Sequence, residues 1–380
     1  MLKNSLFLLA LVVVAVSGDY VFPEPDGPFR VTMTSEELVD QARPDPFNSS
    51  HPRRLMISRF TPVPRKQCQK TCLVQYMPEV VAREEDANLL AFLKTDEWPV
   101  GILSQLQLQL CCEVRPGCKK KSYPTLLLGT GLNTTRLFYS AMAQNIASTG
   151  YEVIVMDHPY ETDIVQFPDG TIIYGGNVPA DKNSTGPLIH ALDARLRDTS
   201  FILNELGVQY ATDNPSNSKV GFVGHSFGGA AAAHTMLNDT RVVAGVNFDG
   251  LMFGPVLNAG LGRPGIPQSF LLWGSEGHNS TADTAWDQLW ETHDSYHPGE
   301  WMKELSMKGS VHGSFWDMVL IADVAGLREN PSLYGEVTGA RVMEILRAYL
   351  RDYFGMALTG KGEGLLAGPD SKYSEVVFVR

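Results

Sequence analysis

Lys219-Val220-Gly221-Phe222-Val223-Gly224-His225-Ser226-Phe227-Gly228-Gly229-Ala230-Ala231-Ala232-Ala233 joins an apolar run, a glycine-flanked serine and a small-residue run. A bare Gly-x-Ser-x-Gly arises by chance roughly 0.2 times in a chain with this glycine content, so the pattern alone decides little. Its setting decides more, because the order strand, sharp turn, helix is that of a nucleophile elbow. Glycines on both sides let the backbone turn tightly and project the Ser226 hydroxyl above the strand ends. The helix N-terminus beneath it favours negative charge developing nearby. An ordinary glycine-rich turn between strand and helix is the competing reading.

The pattern on either side of the elbow sets the fold class. Apolar runs at 126–128, 153–156, 220–223, 242–248 and 270–273 are separated by stretches that suit helices at 137–148, 188–206 and 227–237. Continuous apolar strands alternating with helices predict an α/β architecture with a mostly parallel sheet flanked by helices. Arg54 to Phe60 reads as an earlier strand ended by Pro62 and Pro64, 79–93 as a helix, Phe315 to Ile321 as another, and 337–353 as the last amphipathic helix. Residues 19–50 are rich in Pro, Asp and Ser and read as an extended arm with a short helical stretch near 35–41. No repeat or low-complexity linker interrupts the chain. The expectation is one domain over 19–380, with an N-terminal extension (19–53) and a cysteine-containing insertion (68–118).

Lys3, the apolar run from Leu6 to Val16 and the small pair Ser17-Gly18 predict a secretory signal peptide over 1–18 and an extracellular, secreted protein. That run is shorter than the ~20 residues a membrane span needs, and no later window serves as one. Five Asn-x-Ser/Thr sequons, at Asn48, Asn133, Asn183, Asn238 and Asn279, are glycosylation candidates in a secreted chain. The five cysteines (Cys68, Cys72, Cys111, Cys112 and Cys118) cluster, which predicts one or two local disulfides with at least one thiol left over. With no histidine among them and no Cys-x-x-Cys pair, zinc is not expected. A formal charge of −11 argues against nucleic-acid binding, and Lys119-Lys120-Lys121 reads as a solvated loop.

A serine hydroxyl needs a base to take its proton and a carboxylate to orient that base. In chains built around this elbow the order is Ser, acid, His. Of nine histidines, His278, His293, His297 and His312 lie well beyond Ser226. His312, in the loop Ser310-Val311-His312-Gly313-Ser314 with a final helix still to come, is the candidate base; the other three occupy a polar stretch where a solvated histidine is the default. His225 should point away from the nucleophile as a packing residue. Two acids remain open: Asp249 at the end of run 242–248, and Glu276 in the loop after run 270–273. The N–H of Phe227 and one from the loop Gly129-Thr130-Gly131-Leu132-Asn133-Thr134-Thr135-Arg136 are candidates for an oxyanion hole. There is no metalloprotease motif, clustered Asp, phosphate loop or dinucleotide fingerprint, so no metal or cofactor is expected.

The elbow from Gly224 to Gly229, the loop Gly131-Leu132 with Arg136 and Tyr139-Ser140, Phe248-Asp249-Gly250 and Ser310-Val311-His312 resemble the plasma-type (isoform II) platelet-activating factor acetylhydrolases, and above all their secreted fungal branch. Arg53-Arg54-Leu55-Met56-Ile57-Ser58, Tyr76-Met77-Pro78 and Asp157-His158-Pro159-Tyr160-Glu161 fit the same branch, so the resemblance runs from about Pro44 to the C-terminus. It implies an α/β-hydrolase fold and a metal-independent serine esterase with Ser226, Asp249 and His312 as triad. It also implies Leu132 and Phe227 as oxyanion donors, a short-acyl lipid ester such as a 2-acetyl glycerophospholipid as substrate, and transient contact with lipid surfaces. The general short-chain esterase or polyester hydrolase is the alternative. One departure stands out: the animal enzymes carry His-Gly-Leu-Gly where this chain has Thr130-Gly131-Leu132-Asn133.

Overall fold

Residues 20–93, 98–117, 122–179, 185–210, 219–262 and 268–380 are described in a computed structural model. The expected signal peptide, Lys119 to Lys121, Cys118 and Asn183 lie outside them.

Nine strands form the central sheet: β1 (Phe29–Pro44), β2 (Pro52–Pro64), β3 (Thr125–Gly129), β4 (Glu152–Met156), β5 (Val220–His225), β6 (Val242–Phe248), β7 (Ser269–Ser275), β8 (Trp301–Met307) and β9 (Val376–Phe378). Their order is β9-β8-β7-β6-β5-β3-β4-β2-β1. The six strands from β3 to β8 run parallel; β1, β2 and β9 join antiparallel at the edges. Parallel strands need crossovers, and the helices supply them on both faces. Leu126, Leu128, Val153 and Val155 pack with α2 (Ser140–Ala147), α6 (Met318–Ala325) and α7 (Gly339–Thr359). The intervening Leu127 and Ile154 pack on the other face with α3 (Thr185–Glu205), α4 (Phe227–Asn238) and α5 (Thr284–Tyr296). Burial of alternate residues on opposite faces is why these strands read as unbroken apolar runs. This is the expected α/β-hydrolase architecture, and it brings the ends of β5, β6 and β7 side by side.

The arm departs from expectation. Residues 35–41 are not helical; they lie within β1, which pairs with β2 from Phe29↔Pro64 to Asp40↔Arg53. Local helix preference yields to that ladder, and the strand's polarity follows from its place at the sheet edge, where exposed charge discourages further pairing. Glu37 on β1 accepts from Arg54 Nε at 2.6 Å. The expected last two helices shift to α6 and α7, and β8 and β9 were not foreseen.

The cysteine segment forms a small sheet of Tyr20–Val21, Leu106–Val114 and Cys68–Gln75 with α1 (Glu79–Leu93). Cys68 and Cys111 are joined by a disulfide, while Cys72 and Cys112 are free. Among the described residues no helix is long and apolar enough to cross a membrane.

Candidate active site

β5 ends in the elbow. Ser226 has φ 56° and ψ −123°, a conformation that costs an L-residue of order 1–3 kcal/mol and persists only where neighbours enforce it. They do so here: Ser226 N–H donates to Phe248 O at 2.8 Å, and Gly229 N–H donates to Ser226 O at 2.9 Å. The turn is so tight that a Cβ on Gly224 would lie 1.9 Å from Gly228 O.

Asp249 follows β6 and is the second strained residue, with φ 55°. Its N–H donates to Trp273 O at 2.9 Å. Buried Asn247, a lone amide in an apolar strand, braces the turn: its Oδ1 accepts from Gly250 N–H at 2.9 Å and its Nδ2 donates to Gly250 O at 2.8 Å. The carboxylate so aimed receives three donors. His312 Nδ1 lies 2.7 Å from Oδ2, while His278 Nδ1 (2.8 Å) and the Ser275 N–H (2.6 Å) reach Oδ1. Burial alone would raise the pKa of this group, but the hydrogen bonds from His278, His312 and Ser275 outweigh it and hold the carboxyl well below the usual range.

His278 was expected to be solvated. Instead it is wedged between two carboxylates, with Nε2 3.1 Å from Asp283 Oδ2 and its ring 4.4 Å from that of Trp286. Burial disfavours its cationic form, yet Asp249 and Asp283 push its pKa up to about 9, so it carries charge at neutral pH. The other two downstream histidines, His293 and His297, are buried rather than solvated. Glu276, the rival acid, does not reach His312. It is exposed, and its Oε2 accepts from Gly309 N–H at 2.8 Å, bracing the loop that leads to His312.

His225 is buried and does more than pack. Its Nε2 lies 3.1 Å from His312 O and its Nδ1 2.9 Å from Tyr139 Oη, which also accepts from Gly131 N–H at 2.8 Å. Every direction in this chain follows from chemistry. A carbonyl only accepts, so Nε2 bears the proton; burial and the adjacent His312 keep His225 neutral, so Nδ1 accepts from the tyrosine hydroxyl. Gly131 in the loop after β3 is thereby tied to the backbone of His312.

Gly131 also abuts Ser226, since a Cβ placed on it would lie 3.6 Å from Ser226 Cβ. Phe227 N–H stands at the start of α4, and no hydrogen bond among the described residues takes up this group or the Leu132 N–H. Ser226, Asp249, His278 and His312 line one cavity of about 620 Å³ with Leu132, Leu188, Phe227, Leu251, Met252 and Phe253. Ser226 and His312 share this space without a hydrogen bond between them in this structure. A strained hydroxyl, an imidazole on a carboxylate and unclaimed N–H groups around an apolar cavity suit acyl transfer. The sequence reading set His278 aside as solvated, gave Tyr139 no role beyond the resemblance, and passed over Asn247, whose signal was a polar interruption of an apolar run.

Residues 82–167 and 188–348 match the family of platelet-activating factor acetylhydrolase, isoform II. A protein of the fungus Arthroderma benhamiae, named probable 1-alkyl-2-acetylglycerophosphocholine esterase, is 42% identical across 100% of both chains. The platelet-activating factor acetylhydrolase of Cavia porcellus is 27% identical over 62% of this chain and 58% of its own length. A ferulic acid esterase from Streptomyces cinnamoneus shares the fold, with a TM-score of 0.72 at 24% identity over 96% of this chain and 100% of that one. With its elbow, its strained acid turn and a full-length relative at 42% identity, the chain belongs to the platelet-activating factor acetylhydrolase isoform II family and is a carboxylic ester hydrolase.

Proposed function

We propose that this esterase cleaves short-acyl lipid esters, of the 1-alkyl-2-acetylglycerophosphocholine type named for its fungal relative, through a covalent acyl-enzyme. Ser226 attacks the ester carbonyl and passes its proton to His312 Nε2. The N–H groups of Leu132 and Phe227 receive the negative charge that develops on the carbonyl oxygen. Collapse releases the alcohol, which takes the proton from His312, and a water activated by the same imidazole frees the acid. Asp249 holds Nδ1 protonated throughout. The observation that carries this reading is the 2.7 Å contact of His312 Nδ1 with Asp249 in the cavity that also holds Ser226.

A short acyl group suits walls made by bulky Leu132, Phe227 and Phe253. Secretion is proposed from the sequence 1–18, with Asn48 and Asn238 as the sequons of choice for glycans. Both are exposed, whereas Asn133 and Asn279 are partly buried. A second reading, a general short-chain or polyester hydrolase, is favoured by one feature: among the described residues the cavity wall carries no Lys or Arg to meet a phosphate.

The test measures kcat/KM for the 2-acetyl phospholipid, a long-chain phosphatidylcholine, a polyester film and p-nitrophenyl esters from acetate to palmitate, with and without a chelator. Discrimination of about 1–3 kcal/mol per methylene should give a graded preference for short chains. Rates that rise toward palmitate, or that the chelator abolishes, refute the proposal; equal turnover of phospholipid and polyester favours the second reading.

A further inference from the structure

Arg195, on α3, is buried. Its Nη1 donates to Thr130 O at 2.6 Å and its Nη2 to Gly131 O at 3.1 Å. Nε donates to Glu161 Oε2 at 2.8 Å, and Nη2 pairs with Glu161 Oε1 as well. The guanidinium carbon stands 4.6 Å from the centre of the Phe227 ring. One cation therefore touches both segments that offer oxyanion donors.

The contact with Gly131 O has a particular consequence. That carbonyl and the Leu132 N–H belong to one peptide unit, and none of the described peptide bonds is cis. In a trans unit the C=O and N–H point in opposite directions, so a donor fixed on the oxygen sets the direction of the N–H on the far side. A charged donor on the carbonyl also draws electron density from the amide and strengthens the N–H as a donor, the cooperative polarisation seen in hydrogen-bond chains. Behind the guanidinium, Glu161 neutralises its charge and keeps the fork in plane, which a lysine could not reproduce at two carbonyls and a carboxylate at once.

We propose that Arg195 is a positioning residue for ester hydrolysis, orienting and polarising the Gly131–Leu132 peptide so that its N–H stabilises the tetrahedral oxyanion. This rests on the serine-esterase reading above. Because the effect acts on charge present only in the transition state, loss of Arg195 should lower kcat and leave KM nearly alone.

The experiment compares wild type with Arg195→Lys and the double variant Arg195→Met/Glu161→Gln. The double variant leaves no unpaired buried carboxylate if the single change to methionine fails to fold. Each is assayed for kcat and KM on p-nitrophenyl acetate and for inhibition by an aryl trifluoromethyl ketone, which forms a tetrahedral oxyanion adduct. Melting temperature is recorded alongside. Removing an oxyanion donor costs about 10²–10³ in kcat, so weakening one should cost about 10–10², with KM within about threefold and inhibitor affinity reduced by the same factor as kcat. The lysine variant should fall between wild type and the double variant. The proposal is overturned if folded variants keep wild-type kcat, or if KM and inhibitor affinity weaken together by equal factors, as a merely structural role would give. Fluorophosphonate labelling of wild-type Ser226 separates the two failures: no adduct there refutes the serine-esterase reading itself.

Discussion

Replacing Asp249 with asparagine tests the charge relationship at the site with almost no change of shape. Oδ1 accepts from the Ser275 N–H at 2.6 Å and from His278 Nδ1 at 2.8 Å, while Oδ2 meets His312 Nδ1 at 2.7 Å. An amide has one acceptor oxygen and one donor nitrogen. If its nitrogen took the Oδ1 place it would confront the Ser275 backbone N–H, which cannot turn acceptor. The carboxamide oxygen therefore stays with Ser275 and His278, and the NH2 group faces His312. His312 must then accept at Nδ1 and carry its proton on Nε2, where it cannot take the proton of Ser226. The same tautomer trap costs about 10⁴ in kcat in the serine-protease template, or about 5.4 kcal/mol of barrier. Glu276→Gln keeps an oxygen for Gly309 N–H and should stay within about threefold of wild type, as exposed substitutions usually do. The assay is kcat on p-nitrophenyl acetate at pH 8, with melting temperature to confirm folding. An Asp249→Asn enzyme that keeps more than a tenth of wild-type kcat, or a Glu276→Gln enzyme that falls below it, would refute the reasoning.

Two further predictions concern what surrounds Ser226, Asp249 and His312. The folded-state pKa of His278, about 9, lies above its ordinary 6.5, so the stability it contributes is fully present below pH 6.5 and is lost as pH rises through 9. Wild-type melting temperature should therefore fall more steeply between pH 7 and 10 than that of His278→Gln; parallel curves would show that the histidine is not held as a cation. Gly250→Ala would put a Cβ 2.0 Å from Ser226 O and 2.6 Å from Asn247 Oδ1. It should destabilise by about 1–3 kcal/mol, read from the denaturant midpoint, and lower kcat because the elbow must shift; unchanged kcat would show that the turn at Asp249 does not hold Ser226.

What the sequence disclosed was local. The elbow is contiguous, and β3 to β7 are buried on both faces, so their apolar runs announce themselves. Residue patterns alone left Asp249 and Glu276 open because both follow neighbouring parallel strands that end on the same side of the sheet. The reversed backbone at Asp249, with φ 55°, decides which carboxylate meets His312, and no local pattern of residues reports that angle. Strand β8 was hidden by its charges: Glu304 is buried but receives Ser280 N–H at 2.7 Å and Trp290 Nε1 at 3.0 Å, and Lys303 reaches Glu363 at 3.0 Å. Such partners turn polar residues into sheet residues without leaving a periodic trace. The link from Gly131 through Tyr139 and His225 to His312 spans residues up to 181 positions apart, so only the folded chain reveals it. His278 was masked in the same way, since its value as a cation depends on Asp249, 29 positions earlier.

That Ser226 is the nucleophile is tested most directly by treating the purified enzyme with a fluorophosphonate and locating the adduct by mass spectrometry of its peptides. The expected result is one adduct per chain, on Ser226, appearing in step with loss of esterase activity and absent from Ser226→Ala. Activity lost through an adduct on another residue, or a Ser226→Ala protein that retains more than a tenth of wild-type turnover, would contradict it.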